Sequence, residues 1–264
     1  MRKKFALATA VAVGVFVALA GLTPADASEH HVTEDSSHHH SAAAELTVFH
    51  GIPGIAVNVY VNGALTLDNF TPGSFSNTLK LPAGTYSVAI TGADAKDASA
   101  PVIGPVNLTL RSGGNYTVVA HLTAAGTPTA TLFQNNQERV GKGKGRLTVR
   151  HVAAAPAVDV LANGVAAITK LTNPHEVALT LPVGTISAAV AATGTSAPLI
   201  GPASVTIVKR TNTIVYAWGS LADGTLALAV QTVGGKTAGV SNSRGGHADD
   251  ASENVNHDGG NTEQ

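Results

Sequence analysis

Three groups of side chains in this chain could do chemistry. His30, His31, His38, His39 and His40 fall close together beside Glu29, Glu34 and Asp35. Neutral imidazole binds zinc, copper and nickel, and nearby carboxylates add oxygen ligands. A polar tract that wraps an ion loses conformational entropy in doing so, so any binding there is expected to be weak and unselective. The plainer reading of the same tract is a solvated spacer. These five histidines are the metal-ligand candidates.

His50 and His151 form the second group, because they recur in equivalent surroundings. A catalytic or metal-binding histidine needs a partner, typically a carboxylate. The nearest recurring polar position is Asn58 beside one and Asp159 beside the other. A general base cannot lose its ionisable group in one copy and still work there. Only His151 with Asp159 could therefore act as a pair, in a hydrolytic or metal-binding protein. The favoured reading is structural, with each histidine pinning a strand end to the loop that follows. No catalytic residue and no cofactor is assigned.

The third group is a basic run, Arg139, Lys142, Lys144, Arg146 and Arg150, interrupted by Gly141, Gly143 and Gly145. It reads as a flexible, hydrated linker that could touch an anionic wall polymer or acidic polysaccharide. Nucleic acid is not the expected partner, since no aromatic residues interleave with the charges for base stacking. Trp218 is the only tryptophan, and its counterpart is His121. A carbohydrate surface usually needs several aromatic platforms, and few aromatics are left once cores are filled. G-x-S-x-G, P-loop, G-x-G-x-x-G and H-E-x-x-H patterns are absent. Three Asn-x-Thr triplets, at Asn69, Asn107 and Asn115, fall on or near strands and carry little weight.

An internal repeat sets the elements that must position these residues. Leu46, Thr47, Val48, Phe49 and His50 match Leu147, Thr148, Val149, Arg150 and His151 at an offset of 101. Ala56 to Val59 match Ala157 to Val160, and Asn62-Gly63 matches Asn163-Gly164. Leu81-Pro82-Ala83-Gly84-Thr85 matches Leu181-Pro182-Val183-Gly184-Thr185, and Ile103-Gly104-Pro105 matches Ile200-Gly201-Pro202. The chain thus holds two copies, residues 45–137 and 146–233, with residues 138–145 as the basic linker. Val57, Val59 and Val61 alternate with polar neighbours, the period of a half-buried strand. The Asn-Gly pairs supply the positive φ angles of tight hairpins. About seven short strands per copy are expected, in two tandem antiparallel β-sandwiches of immunoglobulin-like size, with a small closed barrel as the alternative.

The pattern His151-Val152, Pro156-Ala157-Val158-Asp159-Val160, then Asn163-Gly164, then Leu181-Pro182 and Gly184-Thr185 resembles the bacterial secreted family known as domain of unknown function 4397. The first copy matches more loosely, with Pro53 displaced and Asn58 in place of the aspartate. The resemblance covers both copies. It implies secreted, often tandem, β-rich modules, and it carries no catalytic residues over. Its motifs are mostly turn and strand chemistry.

Composition sets the outer bounds. The 264 residues are 44% hydrophobic and 12% charged, with no cysteine and a net charge of −1. That is enough apolar residue for packed cores, and it excludes disulfides, thiol nucleophiles and Cys-ligated zinc. Arg2, Lys3 and Lys4 precede an uncharged run from Phe5 to Leu22, then Pro24 and Ala25-Asp26-Ala27. This reads as a secretory signal peptide cleaved after Ala27, leaving no membrane span. Residues 28–44 and 234–264 are too polar for a core and are expected to stay disordered. The first is acidic and His-rich. The second has 2 basic and 5 acidic side chains. Together these features point to a secreted, non-enzymatic extracellular or cell-surface module, loosely wall-associated, that binds a protein or wall polymer.

Overall fold

The computed structural model of the chain describes residues 42–236. The expected signal peptide, His30 to His40 and the tail from 237 onward lie outside the described residues. Within them the chain is all strand and loop, with no helix, and so no helix long and apolar enough to cross a membrane.

The first half runs β1 (Ala44–His50), β2 (Val57–Val61), β3 (Ala64–Phe70), β4 (Leu79–Leu81), β5 (Gly84–Gly92), β6 (Ile103–Leu110), β7 (Asn115–Leu122) and β8 (Pro128–Gln134). The second half repeats it with β9 (Lys144–His151), β10 (Val158–Ala162), β11 (Val165–Leu171), β12 (Glu176–Pro182), β13 (Gly184–Ala192), β14 (Pro198–Ile207), β15 (Thr211–Trp218) and β16 (Ala227–Gly234). Each half is a sandwich of two four-stranded sheets. The orders are β4-β1-β7-β8 over β3-β2-β5-β6, and β12-β9-β15-β16 over β11-β10-β13-β14.

Two details depart from the expected pattern. Each half has eight strands rather than about seven. The sheets are also not purely antiparallel, because β1 pairs parallel to β7 and β9 parallel to β15. A parallel pair needs a long crossover. The five intervening strands of each half provide one.

Local chemistry explains the repeat. Asn62 and Asn163 take φ of 51°, and Gly63 and Gly164 take 79° and 81°. That is the left-handed pair a tight hairpin demands, and Asn and Gly adopt it at low cost. Each asparagine also accepts the N–H of Ser87 or Ser187 on its Oδ1 at 2.9 Å, tying the hairpin tip to the neighbouring strand.

Alternate residues of these strands fill the sandwich interiors. Leu46, Val48, Val57, Val59, Val88, Ile90, Leu108 and Val118 build one core. Leu147, Val149, Val158, Val160, Val190, Val205 and Val215 build the other. A third core lies between the halves, where the β4-β1-β7-β8 sheet meets the β12-β9-β15-β16 sheet. Phe49, Val119 and Phe133 from one side pack there with Val152, Ile214, Tyr216 and Val233 from the other. Phe75 stacks on Phe49 at 4.5 Å, Tyr216 lies 4.8 Å from Phe49, and Trp218 meets Phe49 edge-on at 6.0 Å. Gly73, at φ 76°, lets its loop pass over Trp218. A Cβ there would come within 3.0 Å of the indole.

Candidate functional site

His50 and His151 close β1 and β9 with the same bonds. The Nε2–H of His50 donates to the Ile55 carbonyl at 2.9 Å, and Nδ1 accepts the Ile52 N–H at 3.4 Å. His151 does the same with the Pro156 carbonyl at 2.9 Å and the Ala153 N–H at 3.4 Å. Both rings are fully buried. A neutral imidazole offers one donor and one acceptor, and both are used. Burial holds the pKa of each ring below its ordinary value, against the opposing pull of the accepting carbonyls.

Asn58 and Asp159 also have a shared task. In β3 and β11 the chain bulges at Asn69 and Lys170, which take φ of 49° and 56°. The freed N–H of each donates to the side chain beneath it, Asn58 Oδ1 or Asp159 Oδ1, at 2.8 Å. The second contact explains the residue change. Asn58 Nδ2 donates to the Ala93 carbonyl at 3.3 Å, whereas Asp159 Oδ2 accepts the Gly194 N–H at 2.8 Å. The loop presents an acceptor in one half and a donor in the other, and the side chain follows. The Gly194 and Lys170 amides hold the Asp159 carboxyl below the usual carboxylate range.

The alternative pairing of His151 with Asp159 has no hydrogen bond between the two side chains to support it. Both Asp159 oxygens accept backbone N–H groups, and both His151 nitrogens bond loop backbone. Among the described residues, no group of three or more His, Asp or Glu side chains is placed to hold a metal ion. The five-histidine tract lies outside those residues.

The basic run is also not the loose spacer its composition suggests. Arg146 donates to Asn136 Oδ1 at 2.8 Å and to the Glu138 carbonyl at 3.1 Å, and it faces the Glu138 carboxylate at 3.9 Å. The Lys144 N–H bonds the Gly141 carbonyl at 3.1 Å, and the Val183 N–H bonds that of Gly143 at 3.1 Å. Arg150 does not belong to the linker's solvated charge at all. It is on β9 and 0% exposed. Strand alternation decides this: Leu147, Val149 and His151 point into the sandwich, so Arg150 points into the seam between the halves.

The seam is held by a continuous polar network around Arg150. Its Nε donates to Glu176 at 2.7 Å, Nη1 to the Tyr216 hydroxyl at 2.7 Å and Nη2 to Asn135 Oδ1 at 2.9 Å. The guanidinium lies over the Phe133 ring, 4.3 Å from its centroid. Tyr216 passes its proton donation on to Gln231 Oε1 at 2.6 Å, and the Thr117 hydroxyl donates to the same atom at 3.0 Å. Asn135 donates to Asn115 at 2.6 Å, and Asn115 donates to Glu45 at 2.6 Å. Burial raises the Tyr216 phenol above its ordinary pKa, with Arg150 pulling the other way. At the far end of the seam, Asn173 joins the halves by donating to both the Leu122 and Ala153 carbonyls, at 2.8 and 2.6 Å.

Where the network reaches the surface, the halves leave a cleft of about 630 Å3. Asn115, Gln134, Asn136, Gln137, Glu138, Arg139, Glu176 and Lys236 are among its lining residues. Most of these side chains are amides, carboxylates or cations, so the cleft offers hydrogen bonds and charge. Sequence reasoning missed this seam. One signal was available: the unbroken run Ile214 to Trp218, with Phe49 out of phase with Leu46 and Val48, marks strands covered on both faces.

With that geometry in place, the likeness to known proteins is specific and limited. Residues 44–161 match the model of a family described as Domain of unknown function (DUF4397). The match takes in the whole first half and enters β10 of the second. No curated protein matches the chain.

Proposed function

We propose that this DUF4397-bearing chain is a secreted, non-enzymatic binding or structural module of the bacterial cell exterior. The observation that carries the reading is the use of the repeated polar side chains. His50, His151, Asn58 and Asp159 recur because the fold needs them, and their polar atoms are engaged by backbone. The polar cleft at the mouth of the seam is open to a ligand. Leader-like residues at the start of the chain and the secreted character implied by the family resemblance support an extracellular setting. The cleft's amides and charges suit a hydrated polar partner, either a wall polymer or a protein loop.

The test uses the mature chain from residue 28. Binding to purified wall polymers and secreted proteins is measured by calorimetry, and ester, peptide and glycoside substrates are assayed in parallel. The reading expects saturable binding that weakens with Gln137→Ala or Glu138→Ala, and no turnover. Turnover abolished by His151→Ala with the fold intact would overturn it.

A further inference from the structure

Beside the cleft, three cations from distant parts of the chain converge. Arg139 lies in the linker, Arg210 in the turn between β14 and β15, and Lys236 just beyond β16. Together with Gly235 they line a cavity of about 100 Å3. Backbone bonds fix the frame. The Lys236 N–H donates to the Gln137 carbonyl at 3.1 Å, Gly235 to Arg210 at 3.0 Å, and Arg210 to Lys144 at 3.1 Å. Arg139 Nε donates to the Lys236 carbonyl at 3.4 Å, a bond that does not use its two terminal nitrogens. Glu138 and Glu176, the nearby acids, already face Arg146 and Arg150. Among the described residues no carboxylate pairs with Arg139, Arg210 or Lys236.

Arg210 adds an independent sign. Its φ is 58°, a left-handed conformation that disfavours a long side chain. Its counterpart in the first half is Gly113, at φ 62° in the matching turn. The second half therefore places an arginine where the first uses the residue the backbone prefers, and that arginine lines the same cavity as two more cations. Guanidinium groups bind tetrahedral oxyanions through paired N–H donors, and a lysine adds a point charge.

We propose that Arg139, Arg210 and Lys236 form a site for a phosphate group carried on an extracellular phosphodiester polymer. The site stands whether or not the larger cleft binds a ligand. Three cations against one phosphate neutralise it and leave charge for the next unit of the polymer, so a polymer should bind more tightly than inorganic phosphate.

The test is calorimetric titration of the mature chain with poly(glycerol phosphate) and with inorganic phosphate. Wild type should bind the polymer at least tenfold more tightly per phosphate than the free ion. Arg210→Gly restores the residue of the first half and keeps the turn, so its thermal midpoint should be unchanged or higher while polymer affinity falls about tenfold, the loss of one charge-assisted contact. Arg139→Gln and Lys236→Gln should each act in the same direction. Equal affinity of wild type and Arg210→Gly would overturn the site, and equal affinity for polymer and free phosphate would overturn its polymeric ligand.

Discussion

Phe49 and Arg150 are counterparts, 101 positions apart on the first strand of each half, and both are fully buried in the same seam. The pair resembles the two sides of a two-fold dimer interface that have since diverged. In a symmetric interface the same residue would appear twice. Here one side contributes an aromatic ring and the other a guanidinium. The positions around them also differ: Val119 is the counterpart of Tyr216, and Phe133 that of Gln231. The divergence makes the seam complementary rather than self-complementary.

Arg150 should be the most sensitive seam residue. Arg150→Ala removes the ion pair and leaves Tyr216 and Asn135 short of partners in a buried site. The expected loss is about 2–4 kcal/mol, from lost packing and unpaired polar groups. Glu176→Gln should cost less, because that side chain is 37% exposed and water can replace part of the interaction. Denaturant unfolding of the two variants checks the order. A Glu176→Gln loss as large as that of Arg150→Ala would contradict it.

Separated halves should fold but poorly. Residues 42–137 and 146–236 each retain a sandwich core, so each should give a β-type circular dichroism spectrum and a cooperative transition. Each would also expose one wall of the seam, including Phe49 and Phe133 or Ile214 and Tyr216. The midpoints should fall below that of the joined pair, and mixing the fragments should raise them. Fragments as stable apart as together would show that the seam contributes nothing.

Acid should weaken the protein in a defined window. Burial lowers the pKa of His50, His121 and His151 in the folded state. The unfolded chain therefore takes up protons first, starting near its unfolded value of about 6.5. Stability is full above that pH and falls as pH drops below it, by at most about 1.4 kcal/mol per pH unit for each ring. Asp159 and Asp97, whose pKa values are also lowered, act only below about pH 4. Thermal midpoints should be level above pH 7 and decline between pH 6.5 and 5. A level midpoint across that lower window would refute the neutral, buried histidines.

The two strand-end histidines should behave alike. His50→Ala and His151→Ala each free a loop carbonyl and an N–H, at an expected cost of about 1–3 kcal/mol. The losses should be similar and nearly additive, since the sites lie in separate cores. Asp159→Asn should destabilise as well, because in either orientation its amide nitrogen would face a backbone N–H, that of Gly194 or that of Lys170. Asn58→Asp should fail for the opposite reason, with a carboxylate set against the Ala93 carbonyl. Equilibrium unfolding of the four variants would settle the assignments.

Much of the fold could be read from residue patterns. Asn62-Gly63 and Asn163-Gly164 announce their turns through the φ angles they permit, and Val57 and Val59 announce a strand through their period. The parallel pairing of β1 with β7 could not be read this way, because it depends on how five intervening strands wind. The inward position of Arg150 is hidden for a different reason. Next to Lys142, Lys144 and Arg146 it reads as part of a charged spacer, and only the alternation of β9 turns it inward. The change from Asn58 to Asp159 reads in sequence as the loss of a functional group, and its reason lies in the fold, where Ala93 offers a carbonyl and Gly194 an N–H. The cluster of Arg139, Arg210 and Lys236 joins residues nearly 100 positions apart, which no local pattern connects.

The central claim is that the seam makes the two halves one structural unit, and differential scanning calorimetry of residues 28–264 tests it most directly. The account predicts a single transition with matching calorimetric and van't Hoff enthalpies, and its separation into two transitions in Arg150→Ala. Two resolved transitions in the wild-type protein, at the midpoints of the isolated halves, would contradict it.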